Sequence, residues 1–304
     1  MLPPNFVSNT TMVEKTDLAI VTGANAGIGK EVAAGLMERG CHVVMACRRL
    51  DRCEEAKGEL GQRQLPGSCE CRRLDLADFT SVRQFAADTR RRLRQDKQHI
   101  NLLINNAGVI GVPPVDGEDQ QLRINHLGPF LLTRLLTPAL APGGRVINVA
   151  SRAHQQGSLR IVDGKIQGTP CHWYTQYARS KLCNVLHVLE MQRRFVAEGT
   201  RITAHAVSPG RVNTGIFENL PALAKFLLKP LASALFQTPK QGASTVLYAA
   251  TAPEVKAQNM LYLHNMREAR ASRLAQDSDL AQQLWDASSA AVGWSSEDAQ
   301  AEKG

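Results

Sequence analysis

Leu18-Ala19-Ile20-Val21-Thr22-Gly23-Ala24-Asn25-Ala26-Gly27-Ile28-Gly29 opens the repeating pattern of this 304-residue chain. An apolar, β-favouring run enters three glycines spaced G-x-x-x-G-x-G, and a helical stretch follows over 29–39. Strand, tight turn and helix in that order are the first βα unit of an α/β protein. Glycine lets the turn close and lets the backbone approach a pyrophosphate, whose charge is favoured at the positive N-terminus of the next helix. A Gly-rich turn can also serve packing alone. Its place between a first strand and a first helix favours phosphate binding.

Working outward, apolar runs at 42–46, 68–74, 101–105, 145–150, 201–208 and 260–264 alternate with helix-length stretches at 80–94, 120–136 and 175–197. Several runs are nearly continuous Val, Ile, Leu and Ala, as expected for parallel strands covered on both faces. The pattern predicts α/β architecture: a single Rossmann-type doubly wound domain with a central, mostly parallel seven-stranded sheet flanked by helices. That domain is expected over 17–292, after an N-terminal extension (1–16) and before a polar tail (293–304). Two segments break the rhythm. The 21 residues of 152–172 are long for a connection and mark a candidate active-site loop. The segment 216–236, rich in Leu and Phe, reads either as a packing helix pair or as a lid over an apolar substrate that touches a membrane surface.

Hydrophobic residues make up 43% of the chain and charged residues 21%, so a large core can be buried. The net charge of +8 suits a polyphosphate ligand or an anionic surface. No basic block is interleaved with aromatics, which argues against nucleic acid as a partner. No run reaches 18 apolar residues, and 1–16 has neither an apolar signal core nor an Arg cluster, so a cytoplasmic protein without a transmembrane anchor is expected. The seven cysteines are odd in number, and Cys69-x-Cys71 fits no common zinc spacing, so reduced thiols are expected. His154 and His172 lack carboxylate or Cys partners at ligand spacing; no metal is expected.

Where a dinucleotide's ribose is read, after the second strand, the chain has Arg48-Arg49 and no acid before Asp51. A guanidinium there grips a 2′-phosphate, which predicts NADP(H). Tyr177 and Lys181 lie four apart in a helical stretch, about 6 Å along the axis and on one face. A tyrosine titrates about three units too high for proton transfer near neutrality, a gap of about 4 kcal/mol. One ammonium at roughly 6 Å supplies about 3 kcal/mol of it at an effective dielectric of 20. Tyr-x-x-x-Lys alone is common. Here Ser151, Asn105-Asn106-Ala107-Gly108 and Pro209-Gly210 with Thr214 all fall at carboxyl ends of expected strands, and Asn125 lies on a neighbouring helix.

Together these motifs resemble the short-chain dehydrogenase/reductase family, over residues 17 to about 290. Ala46-Cys47-Arg48, Asn148-Val-Ala-Ser151-Arg-Ala-His154, Thr238-Pro-Lys-Gln-Gly-Ala243 and Leu284-Trp-Asp286 are similar to its retinol dehydrogenase branch. The resemblance implies that Tyr177 exchanges the proton at the substrate oxygen and that Ser151 hydrogen-bonds this oxygen. Lys181 would depress the tyrosine and hold the nicotinamide ribose, while Asn125 would steady a water leading to Lys181. Gly23, Asn25, Gly27, Ile28 and Gly29 would cradle the phosphates. Asp75 and Leu76 would meet the adenine, Asn106, Ala107 and Gly108 the adenosine ribose, and Pro209, Gly210, Val212 and Thr214 the nicotinamide end. The expected activity is NADP(H)-dependent interconversion of an alcohol and a carbonyl on a small apolar substrate such as a retinoid or other isoprenoid. A steroid or broad-specificity carbonyl reductase and a non-catalytic NADP(H)-binding regulator are the alternatives. A homodimer and peripheral contact with a membrane such as the endoplasmic reticulum, through 216–236, go with this reading.

Overall fold

In the computed structural model, which describes residues 17–167, 172–210, 238–257, 261–295 and 298, β1 (Leu18–Thr22) lies inside an eight-stranded sheet. All five of its residues are buried, as a parallel strand covered on both faces requires. It pairs in parallel with β2 (His42–Cys47) and β4 (Ile100–Asn105). Outward from β2 lies β3 (Ser68–Arg73); outward from β4 lie β5 (Leu140–Val149), β8 (Thr203–Ser208), β9 (Tyr262–His264) and β10 (Arg267–Glu268). The chain thus starts mid-sheet, runs out to β3, then crosses back to β4 and builds the other half. The carboxyl ends of β1 and β4 flank this reversal, where an open crevice forms. The remaining strands, β6 (Ile161–Val162) and β7 (Lys165–Ile166), pair as a separate hairpin.

Helices α1 (Gly27–Met37), α2 (Leu50–Gly61) and α7 (Pro239–Thr251) cover one face, where Leu36, Leu60 and Val246 share a core with Val21 and Val43. On the other face lie α3 (Phe79–Asp96), α5 (Gly128–Leu136), α6 (Trp173–Ala197) and α9 (Ser278–Ala291), packed through Phe85, Leu132, Leu186 and Leu284. Two short helices, α4 (Gln120–Leu122) and α8 (Pro253–Ala257), complete the described set.

Three expectations are corrected. The sheet has eight strands rather than seven, because the antiparallel edge strand β10 is only an exposed Arg-Glu pair with no apolar run to reveal it. The helix expected over 120–136 is broken by a π-turn at Arg123–Leu127, in which the Gly128 amide donates to Arg123. Pro129 has no amide to give the carbonyl of Asn125, and the widened turn accommodates that. Finally, not all cysteines are reduced: Cys53 of α2 and Cys71 of β3 form a disulfide with Cα atoms 5.9 Å apart. Alternation along β3 turns Cys71 towards the face that α2 covers, which the Cys69-x-Cys71 spacing did not suggest. Residues 1–16, Val212, Thr214 and 216–236 lie outside the described residues, as does most of the 293–304 tail. Among the described residues no helix is long and apolar enough to cross a membrane.

Candidate active site

The turn after β1 is shaped by two glycines in the left-handed region. Gly23 and Gly27 adopt φ of +65° and +55°, which side chains rarely tolerate. Ala26 caps α1 without a side-chain hydrogen bond, so the first amides of the helix stay available to a ligand. Thr22 Oγ1 accepts from the amides of Asn106 and Ala107, each at 3.0 Å, and Asn106 Nδ2 donates to the Thr22 carbonyl at 2.9 Å. The end of β4 therefore latches the turn after β1. A Cβ on Gly29 would collide with Asn106 Nδ2 and the Gly23 carbonyl, so only glycine fits there.

Ser151 follows β5 and caps a 3-10 turn, Arg152–Gln156, its Oγ accepting from the Ala153 amide at 3.2 Å. Tyr177 and Lys181 project from one face of α6. Lys181 Nζ is buried, donates to the Val149 carbonyl at 2.9 Å and lies 5.6 Å from the centroid of the Tyr177 ring. Burial pulls the ammonium down to about 8. Burial also pushes the Tyr177 phenol above its usual value, while a hydrogen bond with Ser151 works the other way. Desolvation is the larger effect, so the phenol stands above its usual value, and the depression by Lys181 expected from the spacing is not among the shifts at this site.

These groups share one cleft of about 490 Å³. Its phosphate end is formed by Gly23, Asn25, Gly27, Ile28 and Gly29, and Arg48 opens onto it, while Arg49 is tied to Asp51 at 2.6 Å. Asp75 and Leu76 line one wall; the Asp75 carboxylate also accepts from the Ala77 amide, and Asp78 rather than Asp75 caps α3. Asn106, Ala107, Gly108, Pro209 and Gly210 also line it, with Ser151, Tyr177 and Lys181. Asn125 is placed differently. It is buried in the π-turn behind the cleft, accepting from the Val109 amide at 2.7 Å and donating to Ser180 Oγ at 3.0 Å. Val109, Ile110 and Ile124 line the cleft without having been singled out from the sequence, although the first two directly follow Asn105-Asn106-Ala107-Gly108.

The residues fit an elongated dinucleotide. Its pyrophosphate would meet an uncapped helix start, its adenosine ribose the side where Arg48 opens, and its far end the Ser151, Tyr177 and Lys181 wall. Comparison with known proteins agrees with this geometry. The family described as short chain dehydrogenase matches residues 17–224. The chain is 36% identical to human retinol dehydrogenase 14 (90% of this chain, 85% of that one). It is 37% identical to polyprenol dehydrogenase of Danio rerio (91% and 86%). Among solved structures, an uncharacterised protein from Mycobacterium Paratuberculosis superposes with a TM-score of 0.68 at 31% identity, covering 91% of this chain and 93% of that one. An angucycline C-6 ketoreductase with bound NADP shares the fold at 22% identity and a TM-score of 0.64, covering 81% and 93%.

Proposed function

The chain belongs to the short-chain dehydrogenase family, an oxidoreductase family that uses a nicotinamide dinucleotide, and we propose that it is an NADP(H)-dependent enzyme interconverting an alcohol and a carbonyl on an apolar isoprenoid substrate. One observation carries this reading. Ser151, Tyr177 and Lys181 meet on the wall of a cleft whose other end is an uncapped helix N-terminus beside Arg48.

A nicotinamide dinucleotide bound there would supply or accept the hydride. The protein's own residues bind, orient and manage the proton. The 23–29 turn and the first amides of α1 hold the pyrophosphate, and the Arg48 guanidinium pairs with the 2′-phosphate. Asp75 and Leu76 bound the adenine, and Asn106 to Gly108 the ribose beside it. Pro209 and Gly210 would take the nicotinamide end. Ser151 Oγ accepts from Ala153, and its one hydrogen, which meets the Tyr177 oxygen here, turns to the substrate oxygen when substrate binds. The Tyr177 hydroxyl gives its proton to that oxygen in reduction and takes it back in oxidation. The Lys181 ammonium stabilises the phenolate left behind, and Asn125 fixes the backbone of Val109, which lines the same cleft.

The apolar substrate is favoured because relatives carry the names retinol and polyprenol dehydrogenase, both acting on isoprenoid alcohols, and because 216–236 is rich in Leu and Phe. The test is initial-rate consumption of NADPH and NADH against retinal, other long-chain aldehydes and keto-steroids. Turnover with NADPH is expected to vanish in Tyr177→Phe. Arg48→Ser is expected to cut the NADPH-over-NADH preference about tenfold, the low end for one charge-assisted hydrogen bond because this arginine is exposed. NADPH binding without turnover of any carbonyl would favour the regulatory reading instead.

A further inference from the structure

His154 stands three residues after Ser151 and is fully buried, yet the reaction above does not use it. Its Nδ1 lies 2.7 Å from the Ser151 carbonyl oxygen, and its Nε2 lies 3.1 Å from the backbone nitrogen of Ser272. A carbonyl only accepts and an amide only donates. One state of the ring satisfies both contacts: neutral imidazole with its hydrogen on Nδ1. The ring also packs edge-on against Tyr262 of β9, centroids 4.9 Å apart. The imidazole therefore links the turn that begins at Ser151 to the far edge of the sheet, 118 residues away in sequence.

The same turn is fixed on its other side. Gly157, which ends it, lies against α6 so closely that a Cβ would meet the Ala178 carbonyl at 2.6 Å and Leu182 Cβ at 2.8 Å. Ala178 and Leu182 each follow a site residue, Tyr177 and Lys181. The turn is thus clamped between the helix that carries Tyr177 and the segment after β10. Without the His154 ring, the Ser151 carbonyl would keep, among the described residues, the 3-10 bond from the His154 backbone amide at 3.1 Å, a weaker geometry.

We propose that His154 is a positioning residue: as a neutral Nδ1–H imidazole it ties the Ser151 carbonyl to Ser272 and Tyr262, and so holds Ser151 Oγ in register with the Tyr177 hydroxyl. This rests on the proposed chemistry at Ser151 and Tyr177. Three variants separate the contacts. His154→Phe keeps the ring stacking and loses both hydrogen bonds. His154→Asn keeps a donor for the Ser151 carbonyl, whereas His154→Gln places its amide at the Ser272 side.

With retinal and NADPH as probes, His154→Phe is expected to lower kcat about ten- to a hundredfold, the scale of a 1 Å misplacement, with both KM values nearly unchanged. His154→Asn is expected to restore most of kcat, and His154→Gln is not. Loss of kcat that simply follows loss of Tm across all three variants overturns the proposal, as does unchanged kcat in His154→Phe. A second readout needs no turnover: NMR of the protein with 15N-histidine and 13C-carbonyl serine. A ring protonated on Nδ1, and a Ser151 carbonyl shift that moves in His154→Phe, support the anchor. A ring protonated on Nε2 or on both nitrogens overturns it. If the anchor is seen but the wild type reduces no carbonyl, the proposed reaction falls while the anchor stands.

Discussion

Lys181 carries a charge where a charge is expensive. Its side chain is buried and, among the described residues, hydrogen-bonds to the Val149 carbonyl, and burial pulls its pKa down to about 8. The unfolded chain holds the same proton up to about 10.4, so the charged form costs stability below about pH 8 and the cost fades as pH rises towards 10.4. Lys181→Met is therefore expected to raise the Tm of the ligand-free protein at pH 7, while turnover falls about a hundredfold or more with the loss of support for the acid–base group. Calorimetry beside an activity assay checks both halves, and a lower Tm with retained turnover would contradict them. In the wild type, the rate is expected to decline above about pH 8 as this ammonium discharges. Gly29 makes the opposite kind of demand, for empty space. Gly29→Ala drives a methyl into Asn106 Nδ2 and the Gly23 carbonyl, at a cost of about 1–3 kcal/mol, and weakens NADPH binding about tenfold or more. Urea denaturation and fluorescence titration with NADPH read the two effects separately.

Between elements, the Cys53–Cys71 disulfide joins α2 to β3 at the edge of the sheet, closing a loop of 18 residues. Such a loop corresponds to about 3 kcal/mol of chain entropy removed from the unfolded state. A thiol reductant or Cys53→Ser is expected to lower stability by about that amount in guanidinium denaturation, and reductant should have no further effect on Cys53→Ser. A stability independent of reductant would mean that the two thiols merely lie side by side in solution. The pairing was not legible in the sequence, because which cysteines meet depends on how α2 docks on β3. The π-turn at Arg123–Leu127 was also hidden, since the apolar pattern of 120–136 reads as continuous helix. Pro129 was the available signal.

At the scale of the whole molecule, two buried histidines sit where α5, α6 and α9 converge. His126 and His187 pack in a cluster with Phe130 and Trp285. His126 Nε2 meets Ser288 Oγ at 2.9 Å, and His187 Nδ1 meets the Asn148 amide nitrogen at 3.2 Å. Burial pulls His126 down to about 3 and His187 well below its usual value. The unfolded chain binds protons at these rings below about pH 6.5 and the folded chain does not, so stability falls as pH drops from 6.5 towards 3. Each ring contributes about 1.4 kcal/mol per pH unit in that window. Equilibrium unfolding at pH 7, 6 and 5 should show this slope, and His187→Phe should reduce it. A flat profile would mean that the rings are open to water in solution.

The sheet, its direction, the glycine turn, the Asn-Asn-Ala-Gly strand end and the Tyr177 and Lys181 pair were readable from the chain itself. Each is a local consequence of residue type: apolar runs demand burial on both faces, glycine demands a left-handed turn, and a spacing of four puts two side chains on one helix face. The short edge strand β10, the disulfide, the place of Asn125 behind the cleft and the two-sided grip of His154 were decided only by tertiary structure. β10 pairs with its neighbour β9 but has no apolar run to mark it, while the other three depend on partners up to 118 residues away and on desolvation that exists only once α6, β5 and β9 are packed together.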